Sequence, residues 1–179
     1  MENIFLKGEN RERFHWDNLG NIKEGRGNLG EEVPVLIYRL MQYTMMDVLS
    51  KAHGRDWANE YFRLAGFLAG QEFAGHMLDL KAEFNTFIAN LQKALLELKI
   101  GVMRMEEFDT ATGDIVLTFE QDLDCSGLPV TEETVCVYDE GFIAGILEAY
   151  TGKKYDVRET DCWANGGRAC RFSGTVVSA

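Results

Sequence analysis

Apolar residues recur at every third or fourth position in three stretches before residue 100, and this period predicts three α-helices. The stretches run from Val33 to Ala52, from about Arg55 to Leu80, and from about 82 to 99. The middle stretch carries many small residues and two apolar rows. This pattern predicts a helix that packs against other elements on two sides, either in a crowded core or at a dimer interface. The two rows are Trp57, Tyr61, Leu64 and Leu68, and Phe62, Phe73, Met77 and Leu80.

The first thirty residues are mostly polar and carry few apolar side chains. Ile4, Phe5, Phe14 and Trp16 predict one or two short strands and a loop. The following "GRGNLG" at 25–30 fits the G-x-G-x-x-G pattern of dinucleotide-binding proteins. No buried strand precedes this pattern and no βαβ unit follows it, so we interpret it as a glycine-rich turn into a helix.

After Ile100 the apolar period changes to two residues, which is typical of strands. The stretches "IGVMRMEEF" and "IVLTFEQ" predict an antiparallel hairpin over 100–121, and a helix over 137–151 and strands at about 153–162 and 169–177 follow. The predicted fold class is α+β, with N-terminal helices packed on an antiparallel sheet. We expect one domain over 1–179, mainly helical over 1–99 and strand-rich over 100–179.

Composition supports an ordinary folded protein, because 46% of the 179 residues are hydrophobic and only 2 are prolines. The formal charge is −11, and the 18 basic residues are scattered, so direct nucleic-acid binding is disfavoured. No segment approaches the roughly 18 uninterrupted apolar residues of a membrane-spanning helix. We therefore expect a soluble, cytoplasmic protein with no membrane partner.

Four cysteines, Cys125, Cys136, Cys162 and Cys170, all lie in the last third of the chain. Thiols stay reduced in the cytoplasm, so the cysteines favour a metal site over two disulfides or inert buried thiols. Zinc prefers thiolates, and Cys162 and Cys170 flank a glycine-containing turn from which both could bind one ion. Cys136 precedes the last helix, where amide dipoles favour a thiolate.

The fourth ligand has two candidates, Cys125 and Glu159. Positions 159 and 162 face opposite sides of a regular strand, so Glu159 can join Cys162 at one ion only where the strand bends. The residues alone favour Cys125 as the fourth ligand. If Glu159 is not a ligand, we expect it to face solvent from the strand.

The stretch "CVYDEGFIAGILEAYTGKKYDVRETDCWANGGRACRF" resembles the 4-vinyl reductase domain family. The stretches "FHWDNLGNIKEGRGNLGEEVPVLIYRL" and "RLAGFLAGQEFAG" resemble the amino-terminal part of its stand-alone prokaryotic members. The resemblance implies a mixed α/β fold shared with the sensory domains of phenol- and hydrocarbon-responsive activators, with haem-based nitric-oxide sensors and with TRAPP vesicle-tethering subunits.

The resemblance also implies a dimer that encloses a small apolar ligand, and a structural zinc bound by three cysteines and a glutamate. The matching positions are Cys136, Glu159, Cys162 and Cys170. The resemblance therefore favours Glu159 as the fourth ligand where strand geometry favours Cys125, and both remain open.

For function, the leading hypothesis is a zinc-containing sensor or carrier of a hydrophobic or aromatic molecule. The alternatives are a tetrapyrrole-handling accessory or vinyl-reductase-type enzyme, and a protein-interaction scaffold. We find no nicotinamide, flavin or iron–sulfur motif, and the residues do not indicate catalysis. His76 is a candidate polar anchor in the ligand pocket, or else a half-exposed helix residue.

The interior distinguishes these functions. A closed cavity of about 300 Å³ or more favours a small ligand, an open porphyrin-sized cleft favours a tetrapyrrole, and a filled core favours a scaffold. We expect the helices before residue 99 and the hairpin at 100–121 to enclose the pocket, with the zinc element and Trp163 bracing one side.

Overall fold

The structure is a computed structural model, and we describe residues 13–177. The chain divides into two units, Met1–Glu32 and Val33–Ala179. In the described part of the first unit, a 3-10 turn at Trp16–Leu19 precedes the one-turn helix α1 (Ile22–Gly25).

The strands predicted near Phe14 and Trp16 are wrong, because this segment forms helical turns stabilised by local side-chain bonds. Asn21, for example, caps α1 by accepting from the Glu24 N–H. Ile4 and Phe5 lie outside the described residues.

The second unit contains four longer helices at the predicted positions. They are α2 (Val35–His53), α3 (Arg55–Met77), α4 (Phe84–Glu97) and α5 (Val137–Thr151). Gly54, with φ of 91°, separates α2 from α3 in a backbone conformation that only glycine adopts easily. None of the helices in the described part of the chain has the length and apolar character that a membrane crossing requires.

Four antiparallel strands form one sheet in the order β1-β2-β4-β3. They are β1 (Val102–Phe108), β2 (Ile115–Glu120), β3 (Tyr155–Asp161) and β4 (Cys170–Val176). Burial alternates along β2, where Ile115, Leu117 and Phe119 face the core. Helix α4 packs on β1 and α5 packs on β3, which confirms the α+β fold class.

Helices α3 and α5 cross so closely that glycine is required at the contact. A Cβ atom at Gly66 would overlap the backbone oxygen of Tyr138, and a Cβ atom at Gly141 would overlap that of Arg63. Gly70 and Gly145 make similar approaches one turn further along. The small residues of α3 therefore serve a crowded core, as one of the two sequence interpretations predicted.

The apolar side of α2 is exposed. Its large side chains are between 46% and 65% exposed, and Tyr61 and Leu64 of α3 are also about half exposed. The apolar period of α2 predicted the helix correctly, but these side chains do not enter the core of this chain. The exposed residues of α2 are Val35, Leu36, Ile37, Leu40, Met41, Met45 and Val48.

Candidate functional site

The four cysteines lie together in the interior, and their Sγ atoms are within 4.8 Å of one another. Cys136 Sγ is 3.8 Å from Cys162 Sγ and 3.8 Å from Cys170 Sγ. Cys125 Sγ is 3.0 Å from Cys170 Sγ. All four are buried and none forms a disulfide.

This cluster could hold a metal ion, and its sulfur spacing can be compared with that of a zinc site. Zinc–sulfur bonds of about 2.3 Å in a tetrahedron place sulfur atoms about 3.8 Å apart. The distances from Cys136 agree with that spacing, whereas the 3.0 Å between Cys125 Sγ and Cys170 Sγ is shorter than it. Hydrogen bonds among the thiols lower the pKa of Cys162 and raise the pKa values of Cys136 and Cys170, so Cys162 is the thiol that loses its proton most easily.

Four different parts of the chain supply the cysteines. Cys125 lies in the loop after β2, Cys136 precedes α5, Cys162 follows β3, and Cys170 begins β4. A β-bulge between Glu159 and Asp161 bends the end of β3. The turn after β3 is held by Cys162, whose N–H donates to Asn165 Oδ1 at 3.0 Å and whose oxygen accepts from Gly167.

Glu159 lies beside the cluster but outside the group of four. Its Oε2 accepts the backbone N–H groups of Val135 at 3.1 Å and Cys136 at 2.9 Å. Its Oε1 is buried and has no hydrogen-bond partner among residues 13–177, and burial raises the pKa of Glu159 to about 8. One oxygen of the carboxylate therefore positions the start of α5, and the other is available to a further donor or ion.

Further carboxylates surround the cysteines. Asp122 Oδ1 accepts the N–H groups of Asp124 and Cys125, and burial raises the pKa of Asp122 to about 7. Burial also raises the pKa of Asp139 well above its usual range. Ligand atoms of Asp122, Cys136 and Asp139 lie within 4.8 Å of one another, so Cys136 belongs to both groups.

Helix α2 holds the loop that carries Cys125, a role that sequence reasoning missed. Tyr38 donates to Asp124 Oδ1 at 2.8 Å, and Gln42 donates to Asp124 Oδ2 at 2.5 Å. Arg39 donates to the backbone oxygens of Leu123 at 2.8 Å and Ser126 at 2.9 Å. The signal in the sequence is the polar pattern Y-R-x-x-Q-Y at 38–43, which interrupts the apolar period on one side of the helix.

An apolar cavity lies between α4, α5 and the hairpin β1–β2. Its volume is about 10 Å³, which is room for one water molecule. This is far smaller than the closed cavity of about 300 Å³ or more that would favour a small ligand. The lining is apolar throughout and contains Ile88, Leu91, Leu95, Met103, Met105, Leu117, Phe119, Phe142, Ile143, Ile146 and Leu147.

An open groove of about 680 Å³ adjoins this cavity at the surface. It runs between the first turns of α4 and the outer end of β1. Ile88 and Met105 line both the groove and the cavity. The groove lining contains Glu83, Phe84, Asn85, Ile88, Ala89, Gln92, Met105, Phe108 and Thr110.

Two residues expected at the ligand pocket lie elsewhere. The side chain of His76 is 46% exposed near the end of α3, where its Nδ1 contacts the backbone oxygen of Glu72 at 2.8 Å. Trp163 is 38% exposed and donates its indole N–H to the oxygen of Leu128. Neither lines the cavity or the groove, and α5 closes the cavity in place of the cysteine element.

Comparison with known proteins confirms the family prediction for the C-terminal part, because residues 115–176 match the model of the 4-vinyl reductase domain. An uncharacterized protein of Methanocaldococcus jannaschii is 29% identical over 151 residues, which cover 83% of this chain and 81% of that protein.

Among solved structures, a vinyl-4-reductase family protein from Methanocaldococcus jannaschii matches with a TM-score of 0.59 and 16% identity, over 84% of this chain and 85% of that one. The phenol-responsive sensory domain of the transcription activator PoxR, solved with phenol, matches with a TM-score of 0.61 and 16% identity, over 82% of this chain and 76% of that one.

A trafficking protein particle complex subunit 3 from Naegleria fowleri, covalently bound to palmitic acid, matches with a TM-score of 0.60 and 12% identity, over 81% of this chain and 98% of that one. An H-NOX protein from S. oneidensis also matches, with a TM-score of 0.51 and 12% identity, over 75% of this chain and 70% of that one. These similarities confirm the predicted fold relationships and concern the fold alone.

Proposed function

We propose that this protein, whose residues 115–176 match the 4-vinyl reductase domain family, is a module that binds a hydrophobic or aromatic small molecule and signals its presence to a partner protein. The observation that carries the proposal is the fold, which resembles that of a sensory domain solved with phenol. The cavity between α4, α5 and the hairpin has an entirely apolar lining, which suits the same class of ligand.

The small volume of the cavity sets a condition on binding. A cavity of about 10 Å³ cannot hold an aromatic ring, so side chains must move to admit one. Met103 and Met105 line the cavity, and methionine changes rotamer easily because it is unbranched. In this account the ligand takes the volume that flexible side chains fill in the structure.

We further propose that the four cysteines hold one structural zinc ion, with Cys125 as the fourth ligand. Zinc with four protein donors has no open position for a substrate, so it stabilises the fold without entering a reaction. The ion would join the β2–α5 loop and the start of α5 to the β3–β4 turn, which lies after α5 and β3 in the chain. Glu159 remains the alternative fourth ligand, with Oε1 as the available donor.

The exposed apolar side of α2 supports a homodimer. Seven large apolar residues on one helix are more than an isolated soluble chain leaves uncovered at one place. A second copy could bury both surfaces through a two-fold contact. We also propose that the whole chain works as one cytoplasmic domain with no membrane partner.

Two observations keep the alternative functions in view. The nearly filled core and the exposed apolar side of α2 suit a protein-interaction scaffold. The open groove of about 680 Å³ has volume for a tetrapyrrole, although its lining residues include no histidine or cysteine that could bind the central metal.

Thermal unfolding tests the proposal against both alternatives. Phenol, toluene and a porphyrin are added over a concentration series to the full chain, and zinc content is measured in parallel. For a ligand-binding module, the free energy of unfolding rises as RT ln(1 + [L]/Kd) with phenol or toluene, while zinc content stays constant. Stabilisation by porphyrin alone would support the tetrapyrrole function, and no stabilisation at all would support the scaffold.

A further inference from the structure

The surface groove and the buried cavity are separated by two side chains. Ile88 of α4 and Met105 of β1 line both spaces. Ile88 is 7% exposed and belongs to a helix, whereas Met105 is partly exposed and has three side-chain torsions that can rotate. Met105 is therefore the more mobile of the two side chains that separate the groove from the cavity.

Contacts at both ends hold the groove open. Phe84 at the start of α4 stacks on Phe108 at the end of β1, with ring centroids 4.0 Å apart and planes inclined by 22°. At the other end, Gln92 donates to the backbone oxygen of Met103 at 3.3 Å. The helix thus runs antiparallel to the strand, and the residues between these two contacts form the groove floor.

A β-bulge in β1 places the aromatic ring at this position. The pairing register shifts between Met105 and Glu107, so Met105 lies opposite Leu117 and Phe108 lies opposite Ile115. Leu117 and Ile115 are both buried on the inner face of the sheet. In an uninterrupted strand Glu107 would share the face of Met105, and the bulge gives that place to Phe108.

We propose that this groove is the entrance and outer binding site of the ligand cavity, with Met105 as its gate, and that the ligand is an amphiphile with an apolar tail and an uncharged or cationic head. The proposal rests on the function proposed above. The tail passes Met105 and displaces the flexible side chains that fill the apolar cavity, and the head stays in the groove.

Charge selects the head group. Among residues 13–177, the polar side chains lining the groove are those of Glu83, Asn85, Gln92 and Thr110, and the lining contains neither lysine nor arginine. The whole chain carries a formal charge of −11. A carboxylate head would meet Glu83 without a cation in the lining to balance it, whereas a hydroxyl or ammonium head could bond to these side chains. The lining residues of both spaces include no cysteine, so the ligand is held without a thioester bond.

Displacement of N-phenyl-1-naphthylamine from the full chain tests the ligand class. The competitors are 1-dodecanol below its solubility limit, and dodecyltrimethylammonium and dodecanoate below their critical micelle concentrations. At low salt we expect dodecanoate to bind at least about fivefold more weakly than either other compound, and the difference to shrink at high salt. Equal or tighter binding of dodecanoate would overturn the proposed head-group selection.

The substitution Glu83→Gln provides a second arm. It removes the charged side chain from the groove lining, so the preference for dodecyltrimethylammonium over dodecanoate should fall by about threefold at low salt. An unchanged preference would place the head group away from the groove and overturn the proposal.

Variants of Met105 test the gate. Met105→Trp should slow association of 1-dodecanol by at least about tenfold, because the larger ring fills the passage, and Met105→Ala should speed it. Arg104→Trp adds the same bulk on the outer face of the same strand and is the matched control. Unchanged association with Met105→Trp, or equal slowing by Arg104→Trp, would overturn the gate. If Met105→Trp does not fold, the rate measured with Met105→Ala decides.

The two proposals can fail separately. If toluene stabilises the protein while no dodecyl compound binds, the ligand-binding module stands and the entrance proposal is overturned. If neither phenol, toluene nor any dodecyl compound binds, both proposals are overturned.

Discussion

The carboxylate of Glu159 on β3 accepts a hydrogen bond from the backbone N–H of Cys136 at 2.9 Å. This bond joins β3 to the start of α5 and places Glu159 beside the cysteine cluster. Glu159 is not one of the four residues whose ligand atoms lie within 4.8 Å of one another. Glu159 therefore positions Cys136 of the cluster through Oε2.

Substitutions at the two candidate fourth ligands should differ in their effect on zinc content. We expect Cys125→Ser to lower zinc content or affinity strongly, because serine does not supply a thiolate. Glu159→Gln should retain one zinc per chain, since its amide oxygen can still accept the N–H groups of Val135 and Cys136. Elemental analysis and competition with a chelator give the two results, and retention of zinc by Cys125→Ser with its loss from Glu159→Gln would favour Glu159 as the ligand.

Loss of a cysteine that belongs to both candidate ligand sets should destabilise the whole C-terminal part. We expect Cys162→Ser to release zinc and to lower the free energy of unfolding by at least about 3 kcal/mol, because metal binding contributes directly to folding. In a domain of this size that corresponds to about 6–12 °C in melting temperature. An unchanged melting temperature would show that the metal and the fold are not coupled.

The contact between α2 and the Cys125 loop should control how firmly zinc is held. Arg39→Ala removes the donor to the oxygens of Leu123 and Ser126, so we expect faster release of zinc to a chelator. Lys51→Ala on the same helix is a control, because Lys51 is exposed and pairs with Asp47 of the same helix. Equal release rates for the two variants would contradict a role for α2 at the metal centre.

The crossing of α3 and α5 predicts a contrast between two glycines of the same helix. Gly70→Ala should cost at least about 2–3 kcal/mol, because the new methyl group meets the backbone of Phe142, which cannot move without separating the helices. Gly75→Ala has open space around it and should stabilise the protein by about 0.5–1 kcal/mol through helix propensity. Chemical denaturation measures both, and similar effects of the two substitutions would contradict the close crossing.

The exposed side of α2 should hold the dimer together. Because the apolar side of α2 is exposed, we expect the unsubstituted protein to be a dimer at micromolar concentration. Leu40→Glu introduces a charge into this surface, so we expect the variant to be a monomer. Light scattering after gel filtration gives the mass of each. An unsubstituted protein that is already monomeric at that concentration would contradict the dimer.

The sequence was informative where local patterns decide structure. The apolar periods located α2 to α5 and all four strands to within about three residues, and the burial of Cys136, Cys162 and Cys170 in one cluster follows the sequence prediction. The outward orientation of α2 could not be read from its apolar period, since the period fixes a helix and its apolar side but not what covers that side. The polar residues Tyr38 and Arg39 were the missed signal.

Other features depend on tertiary contacts that no local pattern contains. The bulges near Met105 and Glu159 change which residue faces the core, and nothing in the alternation of the strands indicates where they occur. The size of the cavity depends on rotamers of side chains from four elements, so a composition rich in aromatic and methionine residues could not distinguish a pocket from a filled core.

Methyl resonances of methionine report directly on whether an apolar molecule enters the space between α4, α5 and the hairpin. The chain has seven methionines, of which Met103 and Met105 line the cavity, while Met41 and Met45 are exposed on α2. In protein with ¹³C-labelled methionine methyl groups, titration with toluene should shift the Met103 and Met105 signals saturably and leave the Met41 and Met45 signals unchanged. Unchanged Met103 and Met105 signals, or shifts confined to α2, would contradict the entry of toluene into this space.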